Sequence, residues 1–338
     1  MSLTFAIVGC GMIGTRHAQY IQDVGRLMAV CDIDKQKADF LGTKYNCDPF
    51  IELDDLLNSA GKPDVIVICT PNGLHAKQTI LSLNAGCHVL CEKPMAIHSK
   101  DCLKMIAESE KSGKKLFIVK QNRFNPPVEA VKKLLNENRL GKIISVQLNC
   151  FWNRDAKYYD SKWKGTLDMD GGILFTQFSH FIDLLYWMFG DVKQVYTIRK
   201  NFNHQNIIEF EDTGVVIFEF ENGIIGTLNF TINSYEKNME GSLTVFGEHG
   251  TVKIGGEYLN LLEYQRVKDY KIQELPGGKN YNDYGFYKGS MSNHDKVYQN
   301  LVDVLNKDVP MAASSYDGLK TVEIIEKIYN ASPVSLYD

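Results

Sequence analysis

At 338 residues the chain is too long for one ordinary core, and its 44% hydrophobic and 23% charged content is that of a globular protein with two domains. A formal net charge of −4 gives no basic field for nucleic acid or anionic lipid, and apolar runs such as Leu184 to Phe189 are far too short to span a membrane. No nucleic-acid or membrane partner is expected, and a start that reads as a strand instead of a signal peptide predicts a cytoplasmic protein. All eight cysteines precede residue 151, and Cys31, Cys69 and Cys91 fall inside apolar runs where a small side chain is all that packing needs. Their spacing is not that of a zinc site, so reduced thiols and no metal are expected.

Thr4 to Val8 reads as a strand that runs into Gly9-Cys10-Gly11-Met12-Ile13-Gly14, followed by a helical pattern. This is G-x-G-x-x-G in its strand-to-helix setting, the loop that holds a dinucleotide pyrophosphate. Gly9 serves a tight turn, Gly11 the approach of the pyrophosphate and Gly14 helix packing, while the N–H groups around Met12 and Ile13 face the phosphates. The second strand, Leu27 to Cys31, ends in Asp32, where the ribose-reading acid of such a fold belongs. A carboxylate there accepts from both ribose hydroxyls of NAD and repels the extra phosphate of NADP, so NAD is the expected cofactor.

The alternation continues with helices at Lys35 to Lys44 and Glu52 to Ser59, a short edge at Asp48 to Ile51, and a buried strand from Asp64 to Cys69. Helices at Leu74 to Asn84 and Ser99 to Ser112 flank a strand at His88 to Cys91, and Leu116 to Val119 is the sixth strand. Such a series demands a parallel, doubly wound Rossmann sheet. Thr70, Pro71 and Asn72, with His75 behind them, then Glu92, Lys93 and Gln121, all follow strand ends on its ligand-binding side and are candidate cofactor contacts. A lysine delivered to a sheet edge by Cys91-Glu92-Lys93-Pro94 is an odd place for a charge unless it is used.

From Gly141 the period changes to two. Strands are expected at Ile143 to Trp152, Gln194 to Arg199, Gly214 to Glu221, Ile224 to Ile232, Ser242 to Gly247 and Thr251 to Ile254, forming an open antiparallel sheet. The expected domains are therefore 1–122, binding NAD, and 123–338, which carries this sheet. The last helices, Asp295 to Leu305 and Tyr316 to Tyr329, are free to pack back on the first domain. One helix interrupts the sheet between Gly172 and Phe189, with Leu174, Phe178, Phe181, Leu185 and Met188 as an apolar stripe. Thr176, His180, Asp183 and Trp187 share the opposite face, which carries no Lys or Glu and so reads poorly as a solvated surface. His180 is placed to donate to Asp183, which would fix its tautomer.

The pair Glu92-Lys93-Pro94 and Gly171-Gly172…His180-Phe181-Ile182-Asp183, after the glycine loop, resembles the glucose–fructose oxidoreductase/inositol dehydrogenase (Gfo/Idh/MocA) family over essentially the whole chain. The resemblance implies an open sheet that commonly makes a homodimer or homotetramer interface, and Lys93 and His180 lining a sugar or polyol beside the nicotinamide. Many dehydrogenases of the family carry Asp where this chain has Thr176. Residues 120–126 with Arg123 and Asn125, Trp163-Lys164-Gly165-Thr166 and Thr176-Gln177 are more similar to the branch that oxidises the 3-hydroxyl of UDP-N-acetylglucosaminuronic acid. Arg123, Asn125, Trp163, Thr176 and Gln177 are accordingly candidate substrate contacts beside Lys93 and His180.

Oxidation of a carbinol needs a base for the hydroxyl proton while hydride leaves for the nicotinamide. Lysine, at ~10.4, loses roughly 4 to 5 kcal/mol to act as base near neutrality, whereas histidine at ~6.5 needs no such change. His180 is therefore the expected base and Lys93 the expected stabiliser of the alkoxide, with Arg123 offering a bidentate grip on a substrate carboxylate or phosphate. Dehydrogenation of a free sugar or inositol-type polyol is the alternative activity. A regulator that merely senses nucleotide would need neither Lys93 nor His180.

Overall fold

Apolar runs ending in polar turns become parallel strands when both faces are covered by helices. In the computed structural model, which describes residues 2–277, 281–283, 288–307 and 309–331, the first such series is β1 (Leu3–Val8), α1 (Met12–Val24), β2 (Gly25–Cys31), α2 (Lys35–Tyr45), β3 (Asp48–Phe50) and α3 (Leu53–Asn58). It continues with β4 (Val65–Ile68), α4 (His75–Asn84), β5 (His88–Cys91), α5 (Ser99–Ser112) and β6 (Leu116–Ile118). These strands form one sheet in the order β3-β2-β1-β4-β5-β6, parallel throughout. The chain winds outward from β1 and then returns to β4, so the order reverses between these two strands. Beyond their carboxyl ends lies the crevice where open α/β sheets bind ligands. Val65, Ile66, Val67 and Ile68 are fully buried, each adding about 1.5–3 kcal/mol of apolar burial to the sheet's centre.

The second series is α6 (Pro126–Asn136), β7 (Ile143–Phe151), α7 (Ile173–Thr176), α8 (Ser179–Phe189), β8 (Val192–Lys200), β9 (Thr213–Phe220) and β10 (Ile225–Thr231). After them come β11 (Glu240–Gly247), β12 (Gly250–Gly255), β13 (Leu261–Val267), β14 (Tyr281–Asp283) and β15 (Lys288–Met291). Seven of these strands make a sheet in the order β13-β12-β11-β7-β10-β9-β8. Its pairs are antiparallel except β7 with β10, which run parallel. The expected antiparallel sheet is thus a mixed one, because the excursion through α7 and α8 returns to β7 only after two reversals, β8 to β9 to β10. The sequence reading did not include β13, β14 or β15; most of β13 is exposed, with Leu261 and Tyr264 at 53% and 49%, so it lacks an alternating apolar face.

The helix expected from Gly172 to Phe189 is broken into α7 and α8 at Gln177 and Phe178. Leu174, Phe178, Phe181 and Leu185 are fully buried as the stripe requires, while Met188 at its end is only half-buried, and Trp152 packs against Phe178 and Phe181 at centroid distances of 5.3 and 5.6 Å. The opposite face is not wet either, since Gln177, His180 and Asp183 are buried as well.

The chain closes with α9 (His294–Lys307) and α10 (Ser315–Asn330). Two compact units result, Met1–Lys120 with His294–Val322, and Gln121–Asn293 with Glu323–Asp338. The expected division at 122 comes two residues late, and the last helices do return to the first unit, which takes α9 and the first half of α10. The reason is packing within that unit, where Tyr298 meets Phe5 edge-on at 5.9 Å and Lys120 donates to Thr321 at 2.9 Å. Among the described residues no helix is long and apolar enough to cross a membrane.

Candidate functional site

β1 ends at Val8 and turns through Gly9 at φ +98°, where a Cβ would stand 2.6 Å from the Cys69 carbonyl oxygen. At Gly14 a Cβ would stand 2.0 Å from the Gly9 oxygen, so the loop closes on the helix only with hydrogen there. A Cβ at Gly11 meets nothing within 4 Å, which leaves that side of the loop open. Helix α1 begins at Met12 with no side-chain cap and no acid in its first turn. Its first N–H groups and the positive end of its dipole are thereby left for an anion. Asp32 braces the loop, accepting from Cys10 N at 2.7 Å and Asp34 N at 2.8 Å. Each carboxylate oxygen keeps a second acceptor position for a ribose hydroxyl. This donor and acceptor set fits the pyrophosphate and ribose of NAD.

Of the other candidate cofactor contacts, Asn72 is buried beside Pro71, and Thr70 bonds through its hydroxyl to Gln78 at 2.5 Å. His75 is a clamp: Nε2 lies 2.9 Å from the Thr70 carbonyl and Nδ1 2.8 Å from the Pro94 carbonyl, so both ring nitrogens are taken up by the protein itself. Burial pushes its pKa down, and the two carbonyls act against that.

Strand β5 delivers Lys93, half-buried, at the start of a cis Lys93–Pro94 peptide. Its N–H donates to Glu92 Oε2 at 3.0 Å, while Glu92 Oε1 lies 2.9 Å from His17 Nε2 and 3.5 Å from His294 Nε2. His17 Nδ1 is in turn 2.7 Å from the Tyr298 hydroxyl, whose pKa burial holds well above the usual phenol value. His17, Glu92 and His294 have the residue types of a metal site, with ligand atoms within 4.8 Å of one another. The 2.9 Å separation is that of a hydrogen bond, and shared protons account for it. Burial alone would raise the Glu92 carboxyl, but hydrogen bonds from His17 and His294 outweigh it and hold the group well below the carboxylate range. Glu92 therefore anchors the backbone of Lys93. The sequence reading missed His17, His294 and Tyr298, since isolated residues on two helices 277 positions apart carry no local signal.

In the second unit a short turn, Gln121–Phe124, buries Gln121, Asn122 and Arg123. Gln121, a candidate cofactor contact, lies in this unit, and its Nε2 is 2.9 Å from His180 Nε2. With the amide donating, that imidazole nitrogen is an acceptor, the state a general base requires. Arg123 closes on Asp183 through two bonds of 2.8 Å, and both groups are almost fully buried. The carboxylate expected to orient His180 and the guanidinium expected to grip substrate are thus partners of each other. Asn125 likewise has a structural role, donating to the Tyr258 carbonyl at 3.0 Å and accepting from Asn293 at 2.7 Å without capping α6.

Thr176 donates to the buried carboxylate of Asp170, which also accepts from Gly165 N at 2.8 Å. A negative group therefore does stand beside position 176, supplied from six residues upstream. Gln177 accepts from Arg154 Nε at 2.9 Å and donates to the Tyr158 hydroxyl at 2.6 Å. Trp163, half-buried, accepts from Thr166 Oγ1 at 2.8 Å through its carbonyl.

Comparison with known proteins assigns both halves. Residues 3–120 match the oxidoreductase family with an NAD-binding Rossmann fold, and residues 128–253 match the GFO/IDH/MocA C-terminal domain. The chain belongs to the Gfo/Idh/MocA family. It is an NAD-dependent oxidoreductase. It is similar to the WlbA dehydrogenase of Bordetella pertussis, solved with NADH and UDP-GlcNAcA: 33% identity, 98% of this chain, 96% of that chain, TM-score 0.86. The WlbA dehydrogenase of Chromobacterium violaceum, solved with the same two ligands, gives 33%, 97%, 93% and 0.88. Inositol 2-dehydrogenase 2 of Saccharopolyspora erythraea is 26% identical over 75% of this chain and 74% of its own.

Proposed function

We propose that this protein oxidises the 3-hydroxyl of a UDP-N-acetylhexosaminuronic acid with NAD. The observation that carries the reading is the 33% identity along 98% of the chain to a dehydrogenase bound to NADH and UDP-GlcNAcA. NAD, when bound, accepts the hydride. Gly9, Gly11, Met12, Ile13 and Gly14 hold the pyrophosphate and Asp32 the ribose, with Thr70, Pro71 and Asn72 completing the cofactor side. His180 takes the hydroxyl proton at Nε2, in place of the Gln121 amide N–H, and cationic Lys93 steadies the alkoxide as it forms. Thr176 passes the charge of Asp170 to the position where a carboxylate stands in many relatives.

Substrate binding and oligomerisation belong to the second unit. Its sheet exposes Tyr196, Ile198, Val215, Ile217 and Ile225 at 40–58% on β8, β9 and β10, an apolar row suited to a homodimer or homotetramer contact. Eight free cysteines, seven of them buried, fit a cytoplasmic enzyme.

The test is turnover with near-stoichiometric enzyme and NAD, comparing UDP-N-acetylglucosaminuronic acid with free glucose and myo-inositol. Reduction of NAD with the nucleotide sugar alone is expected. Reduction with a free polyol instead would transfer the reading to the activity named for the inositol relative.

A further inference from the structure

The hexuronate reading requires a cation for the sugar's acidic group, and the fork of Arg123 is closed on Asp183. We propose that Lys164, seated on Tyr158 and backed by Arg154, receives the carboxylate of the sugar acid; the inference rests on the nucleotide-sugar reading above. Lys164 Nζ lies 3.8 Å from the centre of the Tyr158 ring, and the Arg154 guanidinium lies 5.1 Å from the same centre. Two cations on one ring repel each other, and an anion arriving there relieves that repulsion.

The same cluster is tied to the proposed base. Gln177, three residues before His180, bonds to Arg154 at 2.9 Å and to the Tyr158 hydroxyl at 2.6 Å. Carboxylate and reacting hydroxyl are borne by one sugar ring, whereas the diphosphate leads away from it. A cation joined through Tyr158 and Gln177 to the turn before His180 is therefore matched to the carboxylate.

Tyr158, Arg154, Trp163 and Asp170 are among the groups that face Lys164. Burial is the main cause that pushes its pKa down to about 8; Arg154 adds to the lowering and Asp170 opposes it. Asp170 also holds Gly165 N and the Thr176 hydroxyl in its own loop.

The experiment is calorimetric binding of three ligands to NADH-saturated enzyme: UDP-N-acetylglucosaminuronic acid, its neutral analogue UDP-N-acetylglucosamine, and UDP. Lys164→Met is expected to weaken the acid about 10- to 100-fold, the value of one charge-assisted contact, and the other two less than about twofold. Lys164→Arg is expected to restore most of the loss. Wild-type affinity for the acid should fall as pH rises through about 8, while affinity for the neutral sugar, and that of Lys164→Arg for the acid, stays level. The pH series needs no substitution and so does not depend on how a variant folds. Equal losses for all three ligands would make the diphosphate the anion held and overturn the assignment; no loss would make Lys164 a packing residue. Wild-type enzyme that binds none of the three overturns the nucleotide-sugar reading, and this inference with it.

Discussion

The first unit builds its candidate cofactor side from backbone, and the second builds its candidate substrate side from side chains. In the glycine loop the candidate groups are N–H donors, and at Gly9 and Gly14 a side chain is absent because a Cβ would meet Cys69 or Gly9 oxygen within 2.6 Å. In the network that includes His180 and its neighbours, Gln121, Arg123, Asp183, Thr176, Asp170, Gln177 and Arg154 are nearly all buried and each is bonded to another side chain. A backbone site accepts any dinucleotide with the right ribose. A side-chain network is high-stakes, since every member leaves a buried partner behind when it is removed. The difference suits a family in which the cofactor is shared and the substrate is not.

That contrast can be broken most forcefully at the buried ion pair. Arg123→Met should cost about 3–5 kcal/mol by leaving Asp183 buried without its guanidinium. Most of that loss should be recovered in Arg123→Met/Asp183→Leu, as read from urea midpoints. Gly14→Ala comes next: with a Cβ 2.0 Å from Gly9 oxygen the loop must open. NAD affinity should fall at least tenfold, about 1.4 kcal/mol, while the second unit's near-ultraviolet circular dichroism is kept. If Gly14→Ala binds NAD normally, the backbone account of the cofactor side is wrong.

Thr176→Val removes one of the donors to the buried Asp170 and should cost about 1–3 kcal/mol of stability, with a fall in turnover rather than in NAD affinity. Glu92→Gln tests whether the cofactor side also contains a charged knot. Because His17 and His294 hold Glu92 well below its ordinary pKa against the effect of burial, its contribution is present above the unfolded value of ~4.3 and is lost as pH falls through the lower folded value. The gap between wild type and Glu92→Gln should therefore be full at pH 7 and close only in strong acid. Lys35→Ala, breaking an exposed pair with Asp39, is expected to change stability by less than about 0.5 kcal/mol.

Amino-acid order alone determined the alternating strands and helices of the first unit, the glycine loop, Asp32 and the placing of Lys93 and His180 at strand and helix positions. Those features rest on periodicity and on local turn chemistry, which act over a few neighbouring residues. Only the tertiary structure decided that Asp183 holds Arg123, that Asp170 stands behind Thr176, that Glu92 is buried between His17 and His294, and that Asn125 and His75 brace backbone. It also decided the parallel β7–β10 pairing and the return of α9 to the first unit. Each of these joins residues whose spacing along the chain has no periodicity, because a buried polar group takes whichever donor the fold brings within about 3 Å.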